Sequence, residues 1–136
     1  MFLFTDLYKM IKDIEKKSTA LGVWGKVLNF PLILAPIGFF SYKIVWIIFI
    51  CNLIAVLIAG QIHKKKPFSR LTSICHLAWI PIFPFLYFQI IDLDENMFFN
   101  TWLIFITLTI SLSTILDIYN LFLYFKGNDS EIASKM

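Results

Sequence analysis

The chain of 136 residues is 59% apolar and 15% charged, and its mean hydropathy is +0.77. Soluble domains average about 45–50% apolar and about 25% charged residues, and a small domain has too little interior to hide the excess. The composition therefore excludes a soluble cytoplasmic enzyme, a disordered regulator and a nucleic-acid-binding module. It predicts a membrane protein with no direct contact to nucleic acid.

Residues 1–20 have the pattern of an amphipathic helix. Phe4, Leu7, Ile11 and Ile14 recur at helical spacing, while lysines occupy other faces. We expect this helix to lie in the inner membrane interface, with its lysines against anionic headgroups. The alternative is a cytoplasmic helix that packs on a sister subunit or another partner.

Four apolar segments long enough to cross a bilayer follow the amphipathic helix. We place these spans at about 21–42, 44–62, 71–91 and 97–120, within a four-helix transmembrane domain over 21–125. A single helix over 27–62 would be about 54 Å long, far more than a hydrocarbon core of about 30 Å, so a turn near Ser41 separates the first two spans. The predicted fold is all-α, with a short cytoplasmic tail at 126–136.

The basic residues predict the orientation. With the N-terminus inside, eleven of the twelve Lys and Arg residues fall on the inner side and only Lys43 falls outside. Because cationic loops resist translocation, this bias predicts a multi-pass protein of the cell inner membrane with both termini cytoplasmic. The loop that carries Asp92, Asp94 and Glu95 is then external.

One inner loop concentrates positive charge between the second and third spans. Clusters of this kind attract anionic lipid at about 1 kcal/mol per residue. They also suit an acidic cytoplasmic protein partner. The residues of this candidate lipid- or partner-binding loop are Lys64, Lys65, Lys66 and Arg70.

Polar residues inside the spans are the candidates for function, because ionisable groups are costly in a membrane. In the fourth span, Thr109, Ser113, Asp117 and Asn120 are spaced to share one helical face. This face either lines a polar path or joins helices by hydrogen bonds. His76 lies at a similar depth in the third span, so a pair with Asp117 is possible, either as a proton-responsive site or as a structural hydrogen bond.

Prolines occur in the first span (Pro31 and Pro36) and in the third (Pro81 and Pro84). Each internal proline removes a backbone hydrogen bond and bends a helix. Two bent helices either frame a vestibule or hinge, or they are kinked without any functional role.

The sequence contains no HExxH, CxxC or glycine-rich phosphate loop, and the neighbouring Cys75 and His76 diverge by about 100° on a helix. We therefore expect no enzyme activity, cofactor or metal site.

In size, span number and cytoplasmic termini the chain resembles two groups of bacterial proteins. One comprises small membrane subunits of anti-phage systems, such as the membrane component of the Kiwa system, and the other comprises immunity proteins against pore-forming bacteriocins. The resemblance is one of architecture, so no site residue is carried over. It implies a self-associating, non-enzymatic inner-membrane subunit of a defence system that senses or perturbs the membrane and couples to a cytoplasmic partner. The alternatives are an immunity protein and a small ion- or proton-conducting oligomer.

Overall fold

The structure is a computed structural model, which describes residues 2–128. Within that range the chain is all-α, as predicted. Met1 and residues 129–136, which include most of the predicted tail, lie outside the described residues. The elements in chain order are α1 (Phe2–Lys17), α2 (Thr19–Gly38), α3 (Lys43–Lys65), a 3₁₀ helix (Arg70–Ile82), α4 (Phe83–Ile91) and α5 (Met97–Phe125).

Four segments are long and apolar enough to cross a membrane, which confirms the predicted number of spans: Thr19–Gly38, Lys43–Lys65, Arg70–Ile91 and Met97–Phe125. Only 17% to 39% of the residues in their apolar windows are buried inside the protein, as expected where lipid covers the rest. The first span ends four residues earlier than predicted, and the fourth continues five residues further.

The spans run alternately up and down and form a ring, in which α2 contacts α3 and α5, and the 3₁₀ helix lies between α3 and α5. We call the end that carries α1, residues 66–69 and the end of α5 the basic end. The opposite end, with residues 39–42 and 92–96, is the acidic end. At the acidic end the side chain of Tyr42 donates a hydrogen bond to Asp94, which joins the two loops.

The main apolar core fills the ring from its middle to the acidic end. Trp79 and Phe99 are its largest fully buried side chains. A second, smaller cluster lies at the basic end, where Met10 of α1 packs with Ala59 and Cys75. The helix bundle is therefore closed by apolar packing at one end and by α1 at the other.

The first helix packs on its own chain, across α3. Its contact is close because Gly60 has no side chain: a Cβ there would lie 3.2 Å from both Cα and N of Leu7. The predicted apolar stripe divides into two faces. Leu7 and Ile14 pack against α3, whereas Phe4 and Ile11 are exposed.

The third span differs from the prediction because its first thirteen residues form a 3₁₀ helix. At three residues per turn, every third residue falls on one face. That face carries the buried residues Arg70, Ser73, Trp79 and Ile82, and His76 occupies the remaining third position. We refer to these five residues as the period-three stripe. It directs polar and apolar side chains into the same interface between α3 and α5.

The prolines mark where the third span changes its winding. Pro81 is in the last turn of the 3₁₀ helix, and Pro84 is in the first turn of α4, where the missing N–H removes no helical hydrogen bond. In the first span, by contrast, α2 continues through Pro31 and Pro36.

Candidate functional site

The structure brings His76 and Asp117 together in the basic half of the bundle. Nδ1 of His76 lies 2.6 Å from Oδ2 of Asp117. The hydroxyl of Ser113 donates to the same oxygen over 3.4 Å, and the imidazole stacks on the indole of Trp79 with 4.5 Å between the ring centroids. The carboxylate therefore accepts two hydrogen bonds, one from a neighbouring helix and one from its own.

A second polar contact joins the same two elements nearer the basic end. Arg70 Nη1 donates to Asn120 Oδ1 over 2.6 Å, although Arg70 was predicted to face lipid or a partner and is buried instead. We call the five residues of these two contacts the polar cluster: Arg70, His76, Ser113, Asp117 and Asn120.

Helical rise gives the depth of the cluster below the basic end. His76 lies about 12 Å beyond Arg70 at 2.0 Å per residue of 3₁₀ helix. Asp117 lies about 13 Å before Lys126 at 1.5 Å per residue of α-helix. Both residues therefore lie at least two helical turns inside the basic end of their elements.

Thr109 is on the predicted face of α5 but belongs to no contact within the cluster. Its hydroxyl donates to the carbonyl of Phe105, one turn earlier. Asn52 is also fully buried near the middle of α3. Beyond Asn52 and Thr109, every fully buried described side chain toward the acidic end is apolar. The buried polar residues thus extend from the basic end to mid-bundle and stop there.

The basic loop residues have different surroundings. Lys64 binds Asp6 of α1 (3.0 Å), Lys66 donates to the hydroxyl of Tyr124 (3.2 Å), and Lys65 is exposed at the end of α3. Hydrogen bonds from Gln61 and Lys64 hold the pKa of Asp6 below its ordinary value. Part of the predicted partner-binding charge is therefore used inside the chain to hold α1.

A histidine that the sequence did not single out connects α1 with the loop. Nε2 of His63 lies 3.4 Å from Oδ2 of Asp13, and Nδ1 accepts a hydrogen bond from the backbone N–H of Phe68. Phe68 has a φ of 59°, in the left-handed region that a bulky side chain rarely adopts. The ammonium of Lys17 lies over its ring at 4.0 Å from the centroid.

The sequence gives only weak indications of the contacts made by the 3₁₀ helix and by the aspartates of α1. The period-three spacing of Arg70, Ser73 and His76 is visible, but a helix prediction assumes 3.6 residues per turn. Asp6 and Asp13 lie seven residues apart and therefore share one side of α1, which indicates a partner without naming it.

Within residues 2–128, no three His, Cys, Asp or Glu side chains are grouped so that they could hold a metal ion. The arrangement of the polar cluster is suited to hydrogen bonding and proton binding.

Comparison with known proteins gives no assignment: no protein-family model matches this chain, and no curated protein or solved structure matches it. The function proposed below therefore depends on the residues and their geometry.

Proposed function

We propose that this chain is a non-enzymatic subunit of a bacterial anti-phage defence system in the inner membrane. It senses or perturbs the membrane and couples to a cytoplasmic partner. The observation that carries the proposal is the distribution of polar contacts. The ion pairs described above lie in the basic half, and the buried polar residues lie there or at mid-bundle, whereas the acidic end consists of two short loops.

The charge bias supports a cytoplasmic location for the basic end. In this orientation both termini are inside, and Lys43 is the single basic residue outside. The polar cluster then lies in the cytoplasmic half of the bundle, and α1 packs on α3 in the same half. A signal that begins within the membrane has a short route to the cytoplasmic surface.

Anionic lipid headgroups are the membrane partner that suits α1. Phe4, Tyr8 and Ile11 are exposed on one side of the helix, and exposed lysines flank them. An apolar stripe bordered by lysines is typical of helices that lie in the interface of anionic bilayers. The flanking lysines are Lys9, Lys12 and Lys16.

The same lysines, together with Lys65, are exposed positive charges available to an acidic protein in the cytoplasm. Because Lys64 binds Asp6 and Arg70 binds Asn120, we assign a protein partner to the outer surface of α1 and the end of α3. Contact with a partner there would act on the helix that packs across the basic end of α3.

Phage plaquing and membrane potential, measured in cells with and without the gene and its neighbours, test this function. We expect protection that is reduced when Lys9, Lys12 and Lys16 are all changed to Gln. The matched control is Lys43→Gln, which removes one charge at the opposite end. Unchanged plaquing and potential over a broad phage panel would refute a defence role.

The same cells distinguish an immunity protein. Survival that is specific to one pore-forming toxin, and that needs no neighbouring gene, would assign the chain to toxin immunity instead. In that case α5 and the third span would be the surface that meets toxin helices within the bilayer.

The His76–Asp117 pair favours a second candidate, a proton- or ion-conducting oligomer. A single chain is closed by the apolar core between mid-bundle and the acidic end, so a continuous path needs a second copy. Flux through vesicles that contain the reconstituted protein tests this candidate. Conduction that persists unchanged in both Asp117→Asn and His76→Ala would exclude these residues as its path.

A further inference from the structure

A groove separates α3 from the third span at the acidic end. The packing of α3 against this span is mainly with the 3₁₀ helix, whereas α4, which continues the span, packs against α5 and the 3₁₀ helix. The groove between α3 and α4 has a volume of about 360 Å³. Pockets for small ligands measure about 300–1,000 Å³, so the groove is large enough to hold a small ligand or part of a larger one.

The lining of the groove changes from charged to apolar along the bundle. Lys43 is the first residue of α3 and Asp92 directly follows α4, so both charges lie at the mouth of the groove at the acidic end. By helical rise, Gln89 lies about 4.5 Å deeper than Asp92, and Ile47 lies about 6 Å deeper than Lys43. Phe85 lies about 10 Å deeper than Asp92. Charge, amide and hydrocarbon thus follow one another in the order in which a phospholipid presents its headgroup, its glycerol esters and its acyl chains.

The two charges at the mouth have no partner within the chain. Among residues 2–128, neither the side chain of Lys43 nor that of Asp92 forms an ion pair or a hydrogen bond, although both line the same groove. The neighbouring Asp94, by contrast, accepts hydrogen bonds from the hydroxyl of Tyr42 and the backbone N–H of Asn96. The groove therefore offers one cation and one anion, side by side, to a ligand.

We propose that this groove binds one phospholipid with an ethanolamine headgroup. Lys43 binds the phosphate, Asp92 accepts a hydrogen bond from the primary ammonium, and an acyl chain lies along the apolar walls. In the orientation proposed above, the lipid belongs to the outer leaflet of the inner membrane.

The charge pair at the mouth favours ethanolamine over other headgroups. A phosphatidylglycerol headgroup carries a negative charge and no cation, so Asp92 would repel it. A choline headgroup carries a cation but has no N–H, so it cannot donate a hydrogen bond to the carboxylate.

The apolar walls contribute affinity but no choice of headgroup. Phe85 and Phe88 are each more than half exposed, and any acyl chain covers such a surface in a bilayer. Selectivity therefore depends on Lys43 and Asp92 alone, and the test compares headgroups on identical chains.

This site goes beyond the function proposed above and requires only a chain that spans a membrane. It lies at the end of the bundle opposite the surface of α1 that we assign to a cytoplasmic partner. Lipid binding in the groove is therefore measured independently of any defence phenotype.

Native mass spectrometry of the full chain, released from detergent micelles, tests the proposal. Dioleoyl phosphatidylethanolamine, phosphatidylcholine and phosphatidylglycerol are each added at the same concentration. We expect one bound phosphatidylethanolamine, with an affinity about three- to tenfold higher than that of the other two lipids, as for one charge-assisted hydrogen bond at a partly exposed site.

Three variants separate the contributions of the groove. Asp92→Asn should abolish the preference for phosphatidylethanolamine. Lys43→Gln should weaken the binding of all three lipids, because each contains the phosphate. Ile47→Trp places a large ring in the apolar part of the groove, so it should weaken phosphatidylethanolamine binding without altering either charge.

The matched controls are Glu95→Gln, which removes a negative charge from the same loop, and Lys126→Gln, which removes a positive charge from the basic end. Both should keep the preference of the parent chain. All four charged positions are exposed, so these substitutions leave the packed interior unchanged. Equal affinities for the three headgroups would overturn the inference, as would a preference for phosphatidylethanolamine that survives in both Asp92→Asn and Lys43→Gln. Tighter binding of phosphatidylglycerol would also overturn it, because it would show an anion site at Lys43 alone.

Discussion

The phenol ring of Tyr42 lies flat on the ring of Phe99, with 3.7 Å between their centroids and 7° between their planes. Tyr42 precedes α3 and Phe99 is in the first turn of α5, so the stack joins two spans at the acidic end. The hydroxyl of Tyr42 donates to Asp94 at the same time. Burial, followed by the hydrogen bond to Asp94, raises the pKa of Tyr42 above its ordinary value.

Phe99→Ala should destabilise the protein substantially. Phe99 is 0% exposed and also packs on Phe39 and Trp102, so its truncation leaves a cavity that costs about 2 kcal/mol or more. Tyr42→Phe keeps the stacked ring and removes only the hydroxyl, so we expect a small fraction of that loss. Reversible unfolding in mixed detergent micelles measures both. Equal losses in the two variants would show that the hydroxyl, and not ring packing, holds this end together.

The attachment of α1 should depend on acid pH. Because the folded pKa of Asp6 lies below its ordinary value of 3.8, its contribution is complete above pH 3.8 and is lost as pH falls through the lower, folded value. Asp6→Asn should abolish this dependence and increase amide hydrogen exchange in α1 at neutral pH. Asp92→Asn is the matched control. Exchange in α1 that is the same in Asp6→Asn and the parent chain would exclude Asp6 as an anchor.

Gly60→Ala should displace α1 from α3. A new Cβ would lie 3.2 Å from the backbone of Leu7, and a helix backbone cannot yield as a flexible side chain does. Gly25→Ala adds the same methyl group where no atom lies within 4 Å, so it leaves α1 in place. Proteolysis of α1 in reconstituted protein compares the two. Faster cleavage is expected for Gly60→Ala alone, and identical rates would contradict the close packing.

Two substitutions at Phe68 should separate backbone strain from ring contacts. Both Phe68→Ala and Phe68→Gly lose the ring that His63 and Lys17 contact. Only Gly adopts a φ of 59° without a steric penalty, so Phe68→Gly should be more stable than Phe68→Ala by about 1 kcal/mol. Thermal melting of the two variants in one detergent measures the difference. A less stable glycine variant would mean that the loop is not strained.

The spans and the His76–Asp117 pair could be predicted because both follow from distance along a helix axis. Long uncharged runs define the spans, and equal depth from the basic end places the two side chains at one level. The cluster of positive charge in the lysine-rich loop could be predicted from the sequence, but the burial of Arg70 could not. Its environment depends on the winding of the residues that follow it.

The 3₁₀ helix itself could not be predicted, because local sequence preferences favour an α-helix and only the partners of the stripe reverse that preference. The faces of α1 show the same limit. Periodicity indicates an apolar stripe, but the absence of a side chain at Gly60, on another helix, decides that Leu7 turns inward while Phe4 remains outside.

The winding of the third span also determines its length. With thirteen residues of 3₁₀ helix and nine of α-helix, Arg70–Ile91 is about 40 Å long, against about 33 Å for the same residues wholly in an α-helix. A thick bilayer therefore favours the extended form, and local thinning favours the shorter one. A protein or peptide that thins the lipid around this chain would act on the same segment mechanically, without binding to it.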